Sequence, residues 1–580
     1  MRLALNFSTV CFTRLIGASM AALVSAALLD FSDCVVVGRM LGATALAGLE
    51  LFMPAANVIW FFGMLIAGGT AILHAEAMGR FDRARADAVF ATGVALALLV
   101  GVFLAAALLV SADAYLALVG VDAATAGPAR AYWRGYALAV LLQPLVILVM
   151  TMMFEDGGLR SAIVASFAAL AANVLASVWF CGRFGAAGCA FGTGVGLVVE
   201  LLAVVPHLRS DRCMLAFRHR PDFRLAGPIV RAAIGDASLV LFDAVVFLSV
   251  NGFIARRFGS ERLPIAAAVF SVGSFLLLFD AFANAAQPVM CVYFGERNFK
   301  ALRSFAATAL GVTVMAGAVY SLAFALFPGL VVRLLGLTEP ALAADAAGAI
   351  RILAFSYVFT AAVRFLNSYY AFIGRPRMSA ALSFLHSFAF PLGGLFVGGV
   401  FFGLRGVWVA LACASPLALA VFYGALAWRR NARLPFLLPA DRDARLWNWC
   451  LELAPTAIAT VSAEVGEILS ARRVSARAAA IAPVLVEETL LGVRTRNAPR
   501  RIRAEITLDL NDGVALSERD DGEIFDLTDS DVRPDSLGAY VVASLLGSVR
   551  GRCNLLTIGF NRNRFDLETA ADAHGWEGTS

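Results

Sequence analysis

Long uncharged stretches alternate with short charged ones along the first three quarters of the chain. Two examples, Val89 to Val110 and Ser161 to Phe180, contain no Asp, Glu, Lys or Arg. About 20 apolar residues in a helix cross the ~30 Å hydrocarbon core of a bilayer, and a helix satisfies its own backbone hydrogen bonds there. The pattern therefore predicts membrane-spanning helices. We expect twelve spans, at residues 13–37, 46–74, 88–110, 131–153, 160–181, 186–208, 229–255, 264–293, 305–327, 346–372, 379–401 and 406–428.

The distribution of charge separates the chain into two parts. Only 15% of the residues are charged, whereas soluble proteins carry about 25%. The first 439 residues contain 31 basic and 20 acidic residues, and the remainder contains 16 basic and 22 acidic residues. An apolar, basic front and a polar, acidic rear predict a membrane domain followed by a soluble domain.

The membrane part contains an internal repeat. Ile16-Gly17 recurs as Ile234-Gly235, and Gly157 with Arg160 recurs as Gly374 with Arg377. The spacing stays between 216 and 218 residues along the whole half. Two copies with an even number of spans enter the membrane in the same orientation, so they are related by an axis along the membrane normal. We expect an all-α membrane protein of two six-helix lobes with a small α/β domain. The predicted segments are 1–215 (N-lobe), 216–430 (C-lobe), 431–455 (linker), 456–570 (cytoplasmic α/β domain) and 571–580 (tail).

Basic residues in the short loops predict the orientation. One side of the predicted spans carries most of them, including Arg80, Arg83 and Arg85 after the second span and the connector from Arg209 to Arg224. Because basic loops stay in the cytoplasm, both termini are expected there. The expected location is the cell (inner) membrane.

Several motifs resemble the multidrug and toxic compound extrusion (MATE) family. They are Asp33-Cys-Val-Val-Val-Gly-Arg-Met-Leu-Gly42, Gln287-Pro288, Gly374-Arg-Pro-Arg377 and Gly403-Leu-Arg-Gly-Val-Trp-Val-Ala410. The resemblance covers about residues 10–430. It implies a secondary transporter rather than an enzyme. Such a transporter exports small organic, typically cationic, compounds by alternating access, driven by H⁺ or Na⁺. The expected partners are this substrate and the lipid bilayer, with no resident cofactor, metal or nucleic acid.

Asp30 and Asp33 are three residues apart and share a face of the first span. A charge at the bilayer centre costs at least ~2.5 kcal/mol, so such residues are functional candidates. The pair either exchanges a small cation for the cargo, or lies near the headgroups with Asp30 bound to an amide. The resemblance places the family's cation site on Asp33, Asn173, Ser177 and Thr193. Ser177 stands where the family has a second acid, and Asp30 is the candidate to replace that charge.

The second repeat offers Asp243, Asp280, Arg364 and Asn367 within its spans. Arg364 cannot lose its proton under ordinary conditions. It either pairs with Asp243 or Asp280 to hold the lobe together, or forms a gating pair that a cationic substrate disrupts.

The C-terminal segment has the pattern of an α/β domain. We predict helices at Glu464–Leu469 and Pro483–Thr495, strands at Ile502–Leu510 and Leu555–Phe560, and a hairpin turn at Asn511-Asp-Gly513. Pro483 is expected in a first helical turn.

Three motifs of the same segment are Glu487-Glu488, Asp520-Asp-Gly522 and Leu537-Gly-Ala-Tyr540. They resemble motifs of the GHKL-type ATP-binding domains of anti-sigma factors and histidine kinases. The resemblance implies nucleotide-binding roles for Glu488, Asp520, Gly522 and Gly538. Gly492 stands where a magnesium-binding asparagine is expected. Two interpretations therefore stay open: a domain that binds ATP, and a degenerate regulatory domain that docks a cytoplasmic protein partner.

Two other functions compete with export. A lipid-linked precursor flippase of the same superfamily should have a more cationic central cavity, and Arg364 is the only basic residue found deep in a predicted span. A ligand sensor would signal through the ATPase-like domain.

Overall fold

The computed structural model describes most of the chain. The described residues are 7–41, 45, 49, 52–119, 123–215, 219–259, 262–274, 276, 278–334, 339–428, 434–439, 442–472, 474–526, 537–547, 549 and 551–569. Up to residue 428 they are almost entirely helical, and the last part adds an antiparallel sheet.

Helices α1 to α7 form the first half of the membrane part. They are α1 (Phe7–Leu41), α2 (Met53–Gly79), α3 (Arg83–Val119), α4 (Ala123–Gly135), α5 (Ala137–Glu155), α6 (Leu159–Phe184) and α7 (Ala186–Leu208).

Helices α8 to α16 form the second half. They are α8 (Ala226–Phe258), α9 (Leu263–Ser274), α10 (Leu278–Gly295), α11 (Phe299–Leu326), α12 (Pro328–Leu334), α13 (Pro340–Ala354), α14 (Tyr357–Phe372), α15 (Pro376–Phe384) and α16 (Phe390–Trp428). A single π-helical turn, Leu385–Ala389, joins the last two.

Nine helices among the described residues are long and apolar enough to cross a membrane, or ten if the bent pair α13–α14 is counted as one span. The 53-residue stretch Pro376–Trp428 counts as one of the nine. Gly403 interrupts it with a φ of 67° and a ψ of −158°, which is not helical. An L-residue with a side chain rarely adopts such a conformation, so glycine is required at this break.

The backbone shows the same repeat as the sequence. Left-handed φ angles occur at Phe81 (59°), Gly157 (80°) and Gly185 (60°), and they recur at Arg297 (58°), Gly374 (69°) and Gly403 (67°). These pairs are 216, 217 and 218 residues apart. Unusual backbone angles therefore recur at nearly the same spacing as the sequence repeat.

The two halves meet closely near the ends of α2 and α10. A methyl group added to Gly79 would lie 2.4 Å from the Val292 carbonyl oxygen and 2.8 Å from the Gly295 Cα. Further along α2, a methyl group at Gly69 would lie 2.0 Å from the Ile229 carbonyl oxygen. Small residues let helix backbones approach each other in membranes. Glycines therefore permit this contact between the halves.

In its described residues, the C-terminal domain (442–569) is a five-stranded antiparallel sheet with three α-helices. Its elements are β1 (Leu446–Glu452), α17 (Pro455–Ser470), α18 (Ala476–Arg496), β2 (Arg503–Asp509), β3 (Gly513–Asp520), α19 (Leu537–Leu546), β4 (Gly551–Thr557) and β5 (Phe560–Thr569). The strand order is β1-β2-β3-β5-β4. The helices pack on one face of the sheet, around Ile458, Leu485, Ile506, Leu516 and Phe565.

Three details of this domain differ from the sequence-based expectations. Strand β1 lies within residues 431–455, the expected linker, and pairs with β2, so the folded domain begins earlier. Pro483 lies inside α18 rather than in its first turn, because Ser475 caps the helix with a hydrogen bond from the Ala478 N–H. Leu555–Phe560 is not one strand, because Ile558 and Gly559 form a turn with positive φ angles of 58° and 75°. The turn predicted at Asn511–Gly513 is confirmed, since it joins β2 to β3.

Candidate ion and substrate sites

A buried carboxylate centre forms where α1, α6 and α7 meet. Thr193 Oγ1 donates to Asp33 Oδ2 at 2.6 Å, and Ser177 Oγ lies 3.4 Å from Asp33 Oδ1. Asn173 Nδ2 donates to Thr193 Oγ1 at 3.1 Å. Asp33 is 4% exposed and Asn173 is fully buried. The structure thus brings together four of the residues that the resemblance singled out.

Glycines on α7 bring its polar residues close to α6. Methyl groups at Gly188 and Gly192 would lie 2.1 Å from the Phe180 carbonyl oxygen and 2.3 Å from Ser177 Oγ, respectively. Gly196 continues the same face and would place its methyl group 3.0 Å from Asn173 Cβ. This four-residue spacing allows close helix packing. It explains how Thr193 and Ser177 reach the same carboxylate.

The side chains that hydrogen-bond the Asp33 carboxylate in the described structure are neutral: the hydroxyls of Thr193 and Ser177, the amide of Asn173 and the thiol of Cys189. Among the described residues, Asp33 forms no salt bridge. A buried carboxylate without a cationic partner is costly unless it is protonated or binds a cation. Carboxylate, hydroxyl and amide oxygens suit a hard cation. The centre can therefore hold a proton or a small alkali ion. The Asp30 side chain lies outside the described residues.

Arg364 on α14 lies between two aspartates of the second half. It donates to Asp280 Oδ2 at 2.8 Å and to Asp243 Oδ2 at 3.0 Å, so it contacts both predicted partners. Its side chain is 11% exposed, while that of Asp243 is 44% exposed. The carboxylate of Asp243 is therefore more exposed than the guanidinium of Arg364.

Sequence reasoning missed a third aspartate of this cluster, Asp236 on α8. Its Oδ1 accepts from Asn367 Nδ2 at 2.9 Å and from Ser368 Oγ at 2.8 Å. Asn367 is in turn oriented by Ser379, which donates to its Oδ1 at 3.0 Å. The predicted residue Asn367 therefore holds a carboxylate rather than contacting Arg364. The signal was present, because Asp236 is a charge within a predicted span next to the repeated Ile234-Gly235 pair.

The residues proposed for nucleotide binding only partly converge. Asp520 accepts from the Gly522 N–H at 2.8 Å and from Asn561 Nδ2 at 3.0 Å. Burial raises the pKa of Asp520 to about 6, opposed by these hydrogen bonds. The cavity beside it has a volume of about 10 Å³, whereas ligand pockets typically have ~300–1,000 Å³. Arg496, stacked on the Phe525 ring at 3.1 Å, lines this cavity.

Glu488 is half-buried on α18, and Gly538 lies on α19. ATP binding stays a prediction from the resemblance, and the small cavity beside Asp520 argues against it.

A family model named MatE matches residues 9–196 and 239–393, which together make up more than half of the chain. The chain belongs to the MATE family. It is therefore a multi-pass membrane transporter of the multidrug efflux type, and such transporters are secondary transporters rather than enzymes. No curated protein sequence matches the chain significantly.

Solved MATE structures share the fold. An outward-facing multidrug resistance MATE transporter of the MOP superfamily has a TM-score of 0.68 and 20% identity, covering 73% of this chain and 96% of its own. A MATE structure in a bent conformation has a TM-score of 0.66 and 20% identity, with coverages of 73% and 95%. A MOP superfamily transporter from Pyrococcus furiosus gives 0.66 and 20%, with coverages of 73% and 96%. At this identity the likeness establishes the fold alone.

Proposed function

We propose that this MATE transporter is a cation-coupled antiporter, which exports small organic cations in exchange for H⁺ or Na⁺. The observation that carries the proposal is the Asp33 centre, a buried carboxylate whose hydrogen-bond partners are neutral side chains. An ion that neutralises Asp33 removes the cost of burying its charge. Since a ligand shifts two conformations only by its differential affinity for them, this ion can drive the transporter toward the state that buries Asp33.

The proposed architecture has twelve spans in two lobes. Nine single helices and the bent pair α13–α14 supply ten candidates among the described residues. The break at Gly403 divides Pro376–Trp428 into two spans, and α9 with α10 completes the set. The matched left-handed positions support a pseudo-twofold relation between an N-lobe (α1–α7) and a C-lobe (α8–α16). We place both termini in the cytoplasm and the protein in the cell membrane, following the basic loops.

The C-lobe cluster favours a cationic cargo. Asp236, Asp243 and Asp280 provide three carboxylates around one guanidinium, Arg364. With these groups ionised, the cluster has an excess of negative charge, and Asp243 is partly exposed. A substrate amine can replace Arg364 as the partner of Asp243, which is the gating role considered from the sequence.

The flippase alternative is less well supported. A polyphosphate cargo requires an excess of basic side chains in the substrate path, whereas this cluster has three acids and one base. For the Pyrococcus furiosus MOP superfamily transporter, a reversed polarity of the binding pocket suggests a different function. Pocket polarity is therefore the property to compare between the two proteins.

The direct test is efflux of a fluorescent organic cation from cells that express Asp33→Asn. We expect efflux to be lost while the protein remains in the membrane, because asparagine keeps the shape but cannot exchange a proton or neutralise Na⁺. Asp113→Asn is the matched control, since Asp113 is 63% exposed and pairs with Arg130 at the surface. Normal efflux from the Asp33 variant would remove the site from the proposal.

A further inference from the structure

The C-terminal domain has one sheet face covered by helices, and its other face carries a row of buried charges. Glu505 on β2, Arg519 on β3 and Arg562 on β5 are direct cross-strand neighbours. Arg562 is 1% exposed, Glu505 is 5% exposed and Arg519 is 7% exposed. Charged side chains are almost never this buried unless they are paired. Their partners lie mainly on the membrane helices.

Arg562 contacts both halves of the transporter. Its two terminal nitrogens donate to the Met78 and Gly79 carbonyl oxygens, at 2.7 and 2.9 Å. These carbonyls end helix α2 of the first half, where the helix carries partial negative charge. The same guanidinium forms a salt bridge with Glu296, which follows α10 of the second half. One side chain thus bridges the point at which the halves meet.

The neighbouring charges strengthen the attachment to the second half. Arg519 donates to Glu296 at 2.9 Å and pairs with Glu505 at 3.3 Å. The Tyr293 hydroxyl donates to Glu505 at 2.7 Å. Glu296 therefore receives two guanidinium groups from the domain. Burial lowers the pKa of Arg562 to about 10, so the group remains charged near neutral pH.

Further contacts fix the domain on each half separately. On the first half, the β4–β5 turn lies against Gly157, where an added methyl group would be 2.5 Å from the Ile558 carbonyl carbon. The Phe560 ring packs edge-on against Phe7 of α1, with centroids 4.8 Å apart. On the second half, Asn298 Nδ2 donates to Asn448 Oδ1 at 2.7 Å.

We propose that the C-terminal domain has a function of its own: it is a cytoplasmic clamp that holds the two halves together and blocks opening toward the cytoplasm. Opening separates α2 from α10, and Arg562 cannot then keep both the Met78 and Gly79 carbonyls and Glu296. If Arg562 loses the carbonyls, the end of α2 loses these hydrogen bonds. If it loses Glu296, a buried charge loses its partner. The domain must therefore undock from at least one half before the transporter can open inward. Transport is then controlled by whatever controls docking.

The test measures the distance between spin labels on the cytoplasmic ends of the two halves in the full-length protein. Ala84 and Lys300 are exposed and lie in equivalent first turns of α3 and α11. We introduce cysteines there after replacing the exposed Cys450 by serine. Arg562→Met should raise the population with a longer distance by about tenfold or more, equivalent to at least ~1.4 kcal/mol. The initial rate of substrate binding from the cytoplasmic side should rise in parallel.

Two further variants make the result decisive. Glu296→Gln keeps the shape of the site and removes the charge shared by both arginines, so it should shift the distances in the same direction even if Arg562→Met fails to reach the membrane. Arg552→Met removes an exposed arginine from the adjacent strand β4 and should leave the distances unchanged. Unaltered distances in both Arg562→Met and Glu296→Gln would overturn the clamp, as would an equal shift in Arg552→Met.

The clamp rests on the family assignment and on the proposed cytoplasmic placement of the termini, but not on the proposed coupling ion. If Asp33→Asn exports normally, the proposed ion site is wrong but the distance measurement still tests the clamp. If the distances do not change, the clamp is wrong but the efflux assay still tests the ion site.

Discussion

Replacing Gly79 by alanine should make the closed cytoplasmic side less stable. The added methyl group would lie 2.4 Å from the Val292 carbonyl oxygen and 2.8 Å from the Gly295 Cα. Both neighbours are backbone atoms of α10, so neither can rotate away as a flexible side chain would. The two helices must therefore separate for the variant to fit.

The expected magnitude follows from two opposing effects. Forcing an extra methyl group into a packed contact costs ~1–3 kcal/mol. Alanine is also favoured over glycine within a helix by ~0.5–1 kcal/mol, but this gain applies to the open and closed conformations alike. Only the steric cost shifts the equilibrium between them. We therefore expect the ratio of cytoplasm-open to cytoplasm-closed molecules to rise about 5- to 150-fold.

The assay is the distance distribution between spin labels at Ala84 and Lys300, recorded without substrate. Gly17→Ala is the matched control, because Gly17 is a helical glycine of α1 with nothing within 4 Å of the added methyl group. An unchanged distribution for Gly79→Ala would show that the contact between α2 and α10 is not the closed gate. An equal shift for Gly17→Ala would show that the effect is not steric.

Three other outcomes are expected. Thr193→Val removes the hydroxyl that stabilises ionised Asp33 by donating to it at 2.6 Å, and a hydrogen bond to a charged group contributes ~1.5–3 kcal/mol. In gradient-driven transport the KM for H⁺ should therefore fall about tenfold or more if H⁺ is the coupling ion, because the carboxylate then holds a proton more tightly, whereas the KM for Na⁺ should rise if Na⁺ is the coupling ion, because an oxygen ligand is lost. Burial raises the pKa of Glu518 to about 8, so the folded domain keeps a proton that the unfolded chain releases above about pH 4.5. The folded domain therefore loses stability as the pH rises from about 4.5 to 8. The free energy of unfolding should fall by up to ~1.4 kcal/mol per pH unit, and Glu518→Gln should flatten this slope. The measurement is hydrogen exchange of β3, corrected for intrinsic rates. The control Glu467→Gln, at an exposed position, should leave the slope unchanged. Millimolar ATP should not alter exchange around Asp520, because the cavity there has room for about one water; saturable protection would contradict this.

The membrane part is largely predictable because lipid imposes a simple requirement. Every span must be apolar and helical, so uncharged runs such as Val89–Val110 mark helices directly. The interruptions within the helices were harder to predict. The sequence placed a loop at Gly403, but the interruption between α13 and α14 depends on packing that apolar composition does not encode.

The carboxylates were only partly predictable, for a different reason. Asp33 could be placed because its motif and the partners on α6 and α7 occur at recognisable spacings. Asp236 was missed although it is a charge within a predicted span, because no recognised motif connects it with its partners, Asn367 and Ser368. A sequence rule that considers charges one at a time does not identify such a set.

The clamp contacts were not predictable from sequence. Arg519 and Arg562 lie in strands where polar and apolar residues alternate, and that alternation normally places the polar face in water. Only the position of the domain against α2 and α10 shows that this face is buried and what it binds.

The central claim is that ion binding at Asp33 drives export. The most direct measurement is uptake of a labelled organic cation into proteoliposomes, with H⁺ and Na⁺ gradients imposed separately, for the wild type, Asp33→Asn and Asp113→Asn. We expect one gradient to drive uptake by the wild type and by Asp113→Asn, and neither gradient to drive uptake by Asp33→Asn. Gradient-driven uptake by Asp33→Asn at the wild-type rate would contradict the account.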